Sequence, residues 1–317
     1  MNLRNRAKRI PGLAAANKFM KEATHAMRVA AQAPLSRFVT ACPPGSFYSP
    51  LPSPDDIPES VSKDAQEIAG VDLRESAQIA LLHELAKHYA DFAFFPEQPD
   101  GKTRFYLMNE YYSWCDAIVL FTMMRHFRPR RIIEVGSGFS SSVMLDTRDR
   151  FGGGAHFTFI DPNPERLHSL LRADDASSSD VIEHGVQEVP LHRFEALEAN
   201  DILFVDSSHV VKFRSDVAFI VFNVLPRLQS GVVIHFHDIP WPFEYPVSWL
   251  REGRAWNEAY FLRSFLQYND AFEILFFNDM MTTLHADEMR QLMPAALKRI
   301  ESNELLLTAS SLWLRKR

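Results

Sequence analysis

Arg131-Ile132-Ile133-Glu134-Val135-Gly136-Ser137-Gly138-Phe139-Ser140-Ser141-Ser142 is the stretch on which the fold turns. An apolar, β-branched run ends in an acidic residue and a Gly-x-Gly turn, and a helix is expected from about Ser140. Glycine reaches φ > 0 freely and lets a ligand approach the backbone closely. The first turn of a helix placed there leaves N–H groups unpaired. Strand, glycine turn and helix in that order form a cradle, and the residues downstream decide what it holds.

Downstream, short β-like runs alternate with helical ones. Strands are expected at 131–135, 156–160, 180–183, 201–205, 231–236, 272–277 and 311–315, with helices over 140–150, 163–172, 188–198, 211–228 and 257–268. This alternation favours a doubly wound, Rossmann-like α/β fold with a mostly parallel sheet. Ligands of such sheets bind beyond the carboxyl ends of the strands, near the point where the strand order reverses. The residues that follow each strand are therefore the candidates for function.

The second expected strand ends at Asp161, 25 residues past Gly136. A carboxylate at about that distance suits a ribose diol, since it accepts both hydroxyl protons. Asp161-Pro162-Asn163-Pro164 is also a turn sequence in its own right. After the third strand, Gln187 offers a side-chain amide to an adenine edge, in a segment that also reads as a plain turn. The fourth strand delivers Asp206 and His209 to the same rim; the fifth carries His235, His237 and Asp238. His235 and His237 share a face by strand alternation, the deeper His235 reading as a hydrogen-bonded core histidine. Asp206, His209, His237 and Asp238 thus converge as catalytic candidates. One chemistry is general-base catalysis by a histidine. The other is a divalent metal such as Mg²⁺ or Mn²⁺ on Asp206, His237 and Asp238, lowering the pKa of a substrate oxygen. The base is the favoured reading.

Composition removes several classes of function. With 317 residues and 46% hydrophobic content the chain can build a large core. A net charge of −6 without a long basic run argues against nucleic-acid binding. Two cysteines, Cys42 and Cys115, are too few for a disulfide scaffold or a cysteine zinc site. No apolar run reaches the ~18 residues of a membrane span, so a soluble, cytoplasmic protein is expected. The chain is divided into an irregular Pro-rich extension (1–60), a helical cap region (61–128) and a ligand-binding domain (129–317). Within the cap, Asp72 and Glu75 resemble a capping box and open one helix, while 113–127 forms another. After the fifth strand, Trp241, Phe243, Tyr245, Trp249 and Trp256 lie in a Pro-rich loop. They read equally as a substrate wall or as a satellite core.

Taken together, Glu134-Val-Gly-Ser-Gly-Phe-Ser140, Phe159-Ile-Asp161, Phe204-Val-Asp206-Ser-Ser-His209 and His235-Phe-His237-Asp238 resemble the class I S-adenosylmethionine-dependent methyltransferases, and more closely the bacterial branch grouped as methyltransferase family 24. The segments 241–246 and 252–258 are similar to the same branch, and 43–50 and 112–116 more loosely so. The resemblance implies a seven-stranded sheet whose last strand is antiparallel. It implies that Gly136, Ser137, Gly138 and Ser140 pass the methionine part of S-adenosyl-L-methionine, that Glu134 helps hold its amino group, and that Asp161 holds its ribose. It also places Asp206 near the transferred methyl. A dinucleotide-binding NAD(P) oxidoreductase is the alternative for the cradle, but its fingerprint wants a third small glycine-like residue where this chain has Ser141. O-methylation of a small-molecule acceptor, a glycan or glycosylated metabolite first among them, is the expected reaction. A catalytically degenerate binding module of the same fold is the second hypothesis, and a homo-oligomer is compatible with either.

Overall fold

The computed structural model describes residues 45–298 and 309–317. The basic, Ala-rich start, Cys42 and the first prolines of the Pro-rich connector lie outside the described residues. The chain divides into two compact units, Met1–Pro58 and Glu59–Arg317. In the described part of the first unit, Ser53 caps a single 3₁₀ turn, Pro54–Asp56. Residues 61–128, expected as a cap region, lie in the second unit with the sheet.

The second unit begins with α1 (Glu75–Ala86) and α2 (Trp114–Phe127). The box expected at Asp72 does not form. The helix starts later, after Arg74 in the left-handed region, and the Asp72 carboxylate instead accepts from the Arg74 N–H at 3.0 Å. In α2 every residue from Trp114 to Met124 is buried, so the helix is core on all sides. Arg128, left-handed at φ 50°, ends it before Pro129 and the chain enters the sheet.

The sheet has seven strands: β1 (Arg131–Val135), β2 (His156–Ile160), β3 (Ser179–Ile182), β4 (Ile202–Val205), β5 (Val233–Phe236), β6 (Phe272–Phe277) and β7 (Leu312–Lys316). Their order is β3-β2-β1-β4-β5-β7-β6. The pairs among β1 to β5 are parallel, while β7 runs antiparallel to both β5 and β6. The α/β fold with an antiparallel last strand is as expected. β4 and β5 are buried throughout and β1 and β2 are buried after their first residues, which explains their mostly apolar sequence. The strand order reverses between β1 and β4, so the predicted ligand position lies at their carboxyl ends.

The helices α3 (Phe139–Phe151), α4 (Glu165–Leu170), α5 (His192–Glu195), α6 (Asp216–Phe219), α7 (Val247–Arg251), α8 (Glu258–Leu266), α9 (Asn278–Leu284) and α10 (Ala286–Leu292) complete the unit. Two expected helices are much shorter than the sequence suggested. The one expected over 188–198 is reduced to α5, since Pro190 and a loop locked by Asp201 take its ends. The Asp201 carboxylate accepts from the N–H groups of Arg130, Arg131 and Glu198. The one expected over 211–228 starts only at Asp216, where the Ser215 hydroxyl accepts from the Ala218 N–H. It then widens to a π turn (Ile220–Val224) and ends in a 3₁₀ turn containing Pro226, which has no N–H for an α-helical bond. The shortening releases residues 206–215 as a loop over the strand ends.

Candidate active site

Gly136, Asp161, Asp206 and His237 each follow a strand directly, and four backbone bonds place them at one level. Asp161 N–H donates to the Ile182 carbonyl (3.1 Å), Gly136 N–H to Ile160, Asp206 N–H to Val135 and His237 N–H to Val205, the last three at 2.9 Å. At Gly136 the approach is closest. Its φ is +82°, and a Cβ there would lie 1.7 Å from the Asp206 carbonyl oxygen. Only glycine fits, because the β1 and β4 ends meet at this point.

Two cavities open at this level. The first, about 310 Å³, is lined by Gly136, Ser137, Gly138 and Ser140 on one side and by Asp206, His237 and Asp238 on the other. Tyr111, Tyr112 and Arg166 also line it. The second, about 470 Å³, is lined by Gly185, Gln187 and Lys212 among others. Gly136, Asp161, Asp206 and Ser207 line both, so the two cavities form one continuous trough across the β1–β4 junction.

On the glycine side the side chains serve the turn. Asp161 Oδ2 accepts from the Ser137 N–H and hydroxyl, both at 3.0 Å, and Oδ1 accepts from the Asn163 N–H at 2.8 Å. The turn-former role of Asp161 is therefore present beside its place in the trough. Glu134, expected near the amino group, is fully buried behind the turn, lines neither cavity, and accepts from the hydroxyls of Ser140 and Ser141. Burial pushes its carboxyl up to about 8, against the two serine bonds and with help from Asp206 and Asp161. Ser141, where a third glycine was sought, also accepts the Gly138 N–H at 3.0 Å. Gln187, expected at an adenine edge, lines the second cavity, with its amide donating to the Arg214 carbonyl at 3.0 Å.

The β4–β5 side is built from buried ionisable groups. His209 Nδ1 lies 2.9 Å from Glu258 Oε2, and its Nε2 lies 3.4 Å from Asp206 Oδ1 and 3.6 Å from Asp238 Oδ2. The His209 carbonyl accepts from the N–H groups of Asn257 and Glu258, which ties the released loop to the start of α8. His209 and Asp238 both hold φ in the left-handed region, at 57° and 55°, an uncommon conformation for residues other than glycine. Burial pulls the His209 imidazolium down, but Asp206, Glu258 and Asp238 outweigh it and hold the ring well above its ordinary range. Burial likewise opposes the charge on Asp206, yet His237 and His209 keep that carboxyl below its usual value. His237 is raised in spite of burial by Asp206, Asp238 and Asp116. Its ring packs against Tyr112, and its buried Nδ1 has no hydrogen-bond partner among the described residues. His235 is the core histidine expected, bonded to the Ser311 hydroxyl and stacked 3.7 Å from Phe204.

Among the described residues, the acid and histidine donors that stand close enough together for one ion are not the three expected. Asp206, His209 and Asp238 bring one donor atom each within 4.8 Å of one another, and His209 takes the place assigned to His237. The reason is the left-handed turn at His209, which folds its ring back between the two carboxylates. An imidazole whose second nitrogen is held by a carboxylate is the usual outer arrangement of a metal-bound histidine. These three residues fit a divalent cation. The loop aromatics also resolve in one direction: Trp241, Phe243, Tyr245 and Trp249 are buried, a satellite core and not a wall. Trp256 alone of that group touches the site, packed 4.3 Å from the His209 ring.

Several residues of the site had no role assigned from the sequence, among them Arg166 and Tyr111. Glu258, Tyr112 and Asp116 stood only within segments similar to the family, the last two in the cap region. The signal for Asp116 was available, since a carboxylate in a helix with no polar face must be buried and paired. It accepts from Asn278, Ser310 and Ser311, and so anchors the lead into β7 behind His237.

A family model described as a methyltransferase domain matches residues 133–239, the span from β1 to just past Asp238. An uncharacterized protein of Archaeoglobus fulgidus is 33% identical over 170 residues, covering 50% of this chain and 75% of that protein. The chain belongs to methyltransferase family 24, within the class I S-adenosylmethionine-dependent methyltransferases. The oxidoreductase alternative is thereby set aside, and S-adenosylmethionine is the cofactor. Among solved structures, this methyltransferase is similar to a CmcI structure with Mg and S-adenosylmethionine (19% identity, 64% of this chain and 71% of that one, TM-score 0.37). It is also similar to the S-adenosylhomocysteine-bound methyltransferase PaMTH1 of Podospora anserina (14%, 80% and 100%, TM-score 0.39). A third is TomG of Streptomyces achromogenes, an O-methyltransferase of tomaymycin synthesis (14%, 74% and 88%, TM-score 0.37). No helix among the described residues is long and apolar enough to cross a membrane.

Proposed function

We propose that this methyltransferase acts on a hydroxyl oxygen of a small molecule, with a sugar or glycosylated metabolite as the first acceptor class to examine. The observation that supports it is the shared cavity in which His237 and two carboxylates face the glycine turn. S-adenosylmethionine, when bound, supplies an electrophilic methyl on a sulfonium that leaves as a neutral thioether. The remaining requirements are alignment and removal of the hydroxyl proton.

In this reading Gly136, Ser137 and Gly138 hold the methionine end by backbone approach, Asp161 faces the ribose, and Gln187 lies along the adenine. His237 is the base, because it lines the cavity and His209 does not. It takes the acceptor's hydroxyl proton as the oxygen–carbon bond forms and the carbon–sulfur bond breaks. His209, held by Glu258, keeps Asp206 and Asp238 in place. If a divalent cation is bound, Asp206, His209 and Asp238 hold it, and its chemistry is to make the acceptor oxygen more acidic.

The test uses methyl-labelled S-adenosylmethionine and a panel of hydroxylated acceptors that includes glycosides. His237→Ala is expected to lower turnover roughly 10²- to 10⁴-fold while leaving the affinity for S-adenosylhomocysteine within about threefold. Full turnover in His237→Ala would remove the base assignment. Activity that neither a chelator nor added Mg²⁺ or Mn²⁺ changes would remove the metal. Binding of cofactor with no acceptor labelled, across the panel, would favour a binding module.

A further inference from the structure

The first cavity carries three carboxylates, Asp161, Asp206 and Asp238, and one guanidinium, that of Arg166. Arg166 is the only lysine or arginine among its described lining residues. Its guanidinium sits 3.7 Å over the Tyr111 ring and has no ion-pair partner among the described residues. Asp161, the nearest in sequence of the acids that line the cavity, is already engaged by Ser137 and Asn163. The placement of the Arg166 side chain is built in from two directions.

Below it lies Gly138. That glycine has φ 172°, an extended value open to any residue, so conformation does not demand it. Packing uses it: a Cβ at 138 would come 3.1 Å from Arg166 Cδ and 3.5 Å from its Nη1, a tight contact that would push the arginine side chain aside. The second glycine of the turn therefore gives passage to the arginine. Above it lies Tyr111, whose ring is parallel to Phe139 at 6.0 Å, in a turn that Asn109 fixes by accepting from the N–H groups of Tyr111 and Tyr112. An unpaired guanidinium held flat on an aromatic ring keeps its edge donors free for a planar anion.

We propose that Arg166, held by Tyr111 across Gly138, binds the carboxylate of the cofactor's methionine end. The charges match: the carboxylates of the cavity suit the ammonium and the sulfonium, and the single guanidinium suits the one anionic group of S-adenosylmethionine. The proposal rests on the cofactor position given above. It makes Arg166 a determinant of cofactor specificity, selecting the complete amino acid over a decarboxylated relative.

The test is a cycle of two proteins and two ligands, read by calorimetry. Wild type and Arg166→Gln are each titrated with S-adenosylmethionine and with decarboxylated S-adenosylmethionine, which keeps the amine and sulfonium and lacks only the carboxylate. Wild type should prefer the complete cofactor by about tenfold, as a charge-assisted bond at a solvent-accessible site allows. Arg166→Gln should bind the decarboxylated ligand as wild type does and lose most of the preference, with Arg166→Lys between the two. A preference that survives in Arg166→Gln overturns the proposal, as does wild type that shows none. Equal weakening of both ligands in the variant also overturns it, since that marks a structural role. Failure of wild type to bind either ligand overturns the cofactor position itself, and this proposal with it.

Discussion

The two sides of the trough hold their residues by opposite means. The glycine side is local: Glu134, Gly136, Ser137, Gly138, Ser140 and Ser141 lie within eight residues, and their side-chain bonds run among themselves and to Asp161. The β4–β5 side is assembled from afar: His209 meets Glu258 across 49 positions, and Ser310 links Asp116 to Asp238. The first side is shaped by backbone geometry, and at Gly136 it has no room for a Cβ. The second is shaped by charge balance in a buried place, where each group sets the protonation of its neighbours. The two should therefore fail differently when altered.

The largest effect is expected on the glycine side. Gly136→Ala would place a methyl against the Asp206 carbonyl at positive φ, and should cost roughly 3–5 kcal/mol of stability, read as a fall in the urea midpoint with loss of cofactor binding. An unchanged midpoint would mean that the β1 and β4 ends do not meet so closely.

A smaller and more selective effect is expected across the trough. Glu258→Gln should lower turnover by roughly 10- to 100-fold by loosening the His209 ring, with affinity for S-adenosylhomocysteine little changed. Equal losses in turnover and cofactor affinity would erase the distinction between the two sides, because Glu258 would then support the whole trough. The Asp side chain at that position should not rescue turnover, being one methylene too short to reach Nδ1.

The last effect is spread along the pH axis and concerns Glu134, whose carboxyl is raised from 4.5 to about 8. The folded protein keeps this proton where the unfolded chain releases it, so the group's contribution is complete below pH 4.5 and declines as pH rises to about 8. The slope approaches about 1.4 kcal/mol per pH unit at most. Glu134→Gln should flatten the dependence of cofactor-free stability on pH in that window, measured by urea midpoints at several pH values. A wild-type midpoint that does not decline would show that the carboxyl is already ionised.

Much of the glycine side was legible from sequence, because a strand, a Gly-x-Gly turn and an acid in phase after the next strand are short-range patterns. Even there the role of Glu134 was not, since the chain does not show that two serine hydroxyls turn inward to meet it. On the other side the residues were legible and their partners were not. Asp206, His209, His237 and Asp238 stood out as strand-end residues. Which histidine lines the cavity and which joins the carboxylates depends on a left-handed backbone at His209, and no residue preference signals that. Arg166 and Tyr111 were silent for a similar reason: an arginine in an exposed helix and a tyrosine in a loop gain meaning only when Gly138 brings them together.

The sequence by itself determined the alternation of strands and helices, the close passage at Gly136, and the strand ends that carry chemistry. These follow from periodicity and from steric limits that act within a few residues. The tertiary structure decided the pairing of charges: Glu258 with His209, Asp116 behind His237, and Arg166 across Gly138. Such pairings follow from which groups share a buried space once seven strands have aligned their ends, and distance along the chain does not encode that.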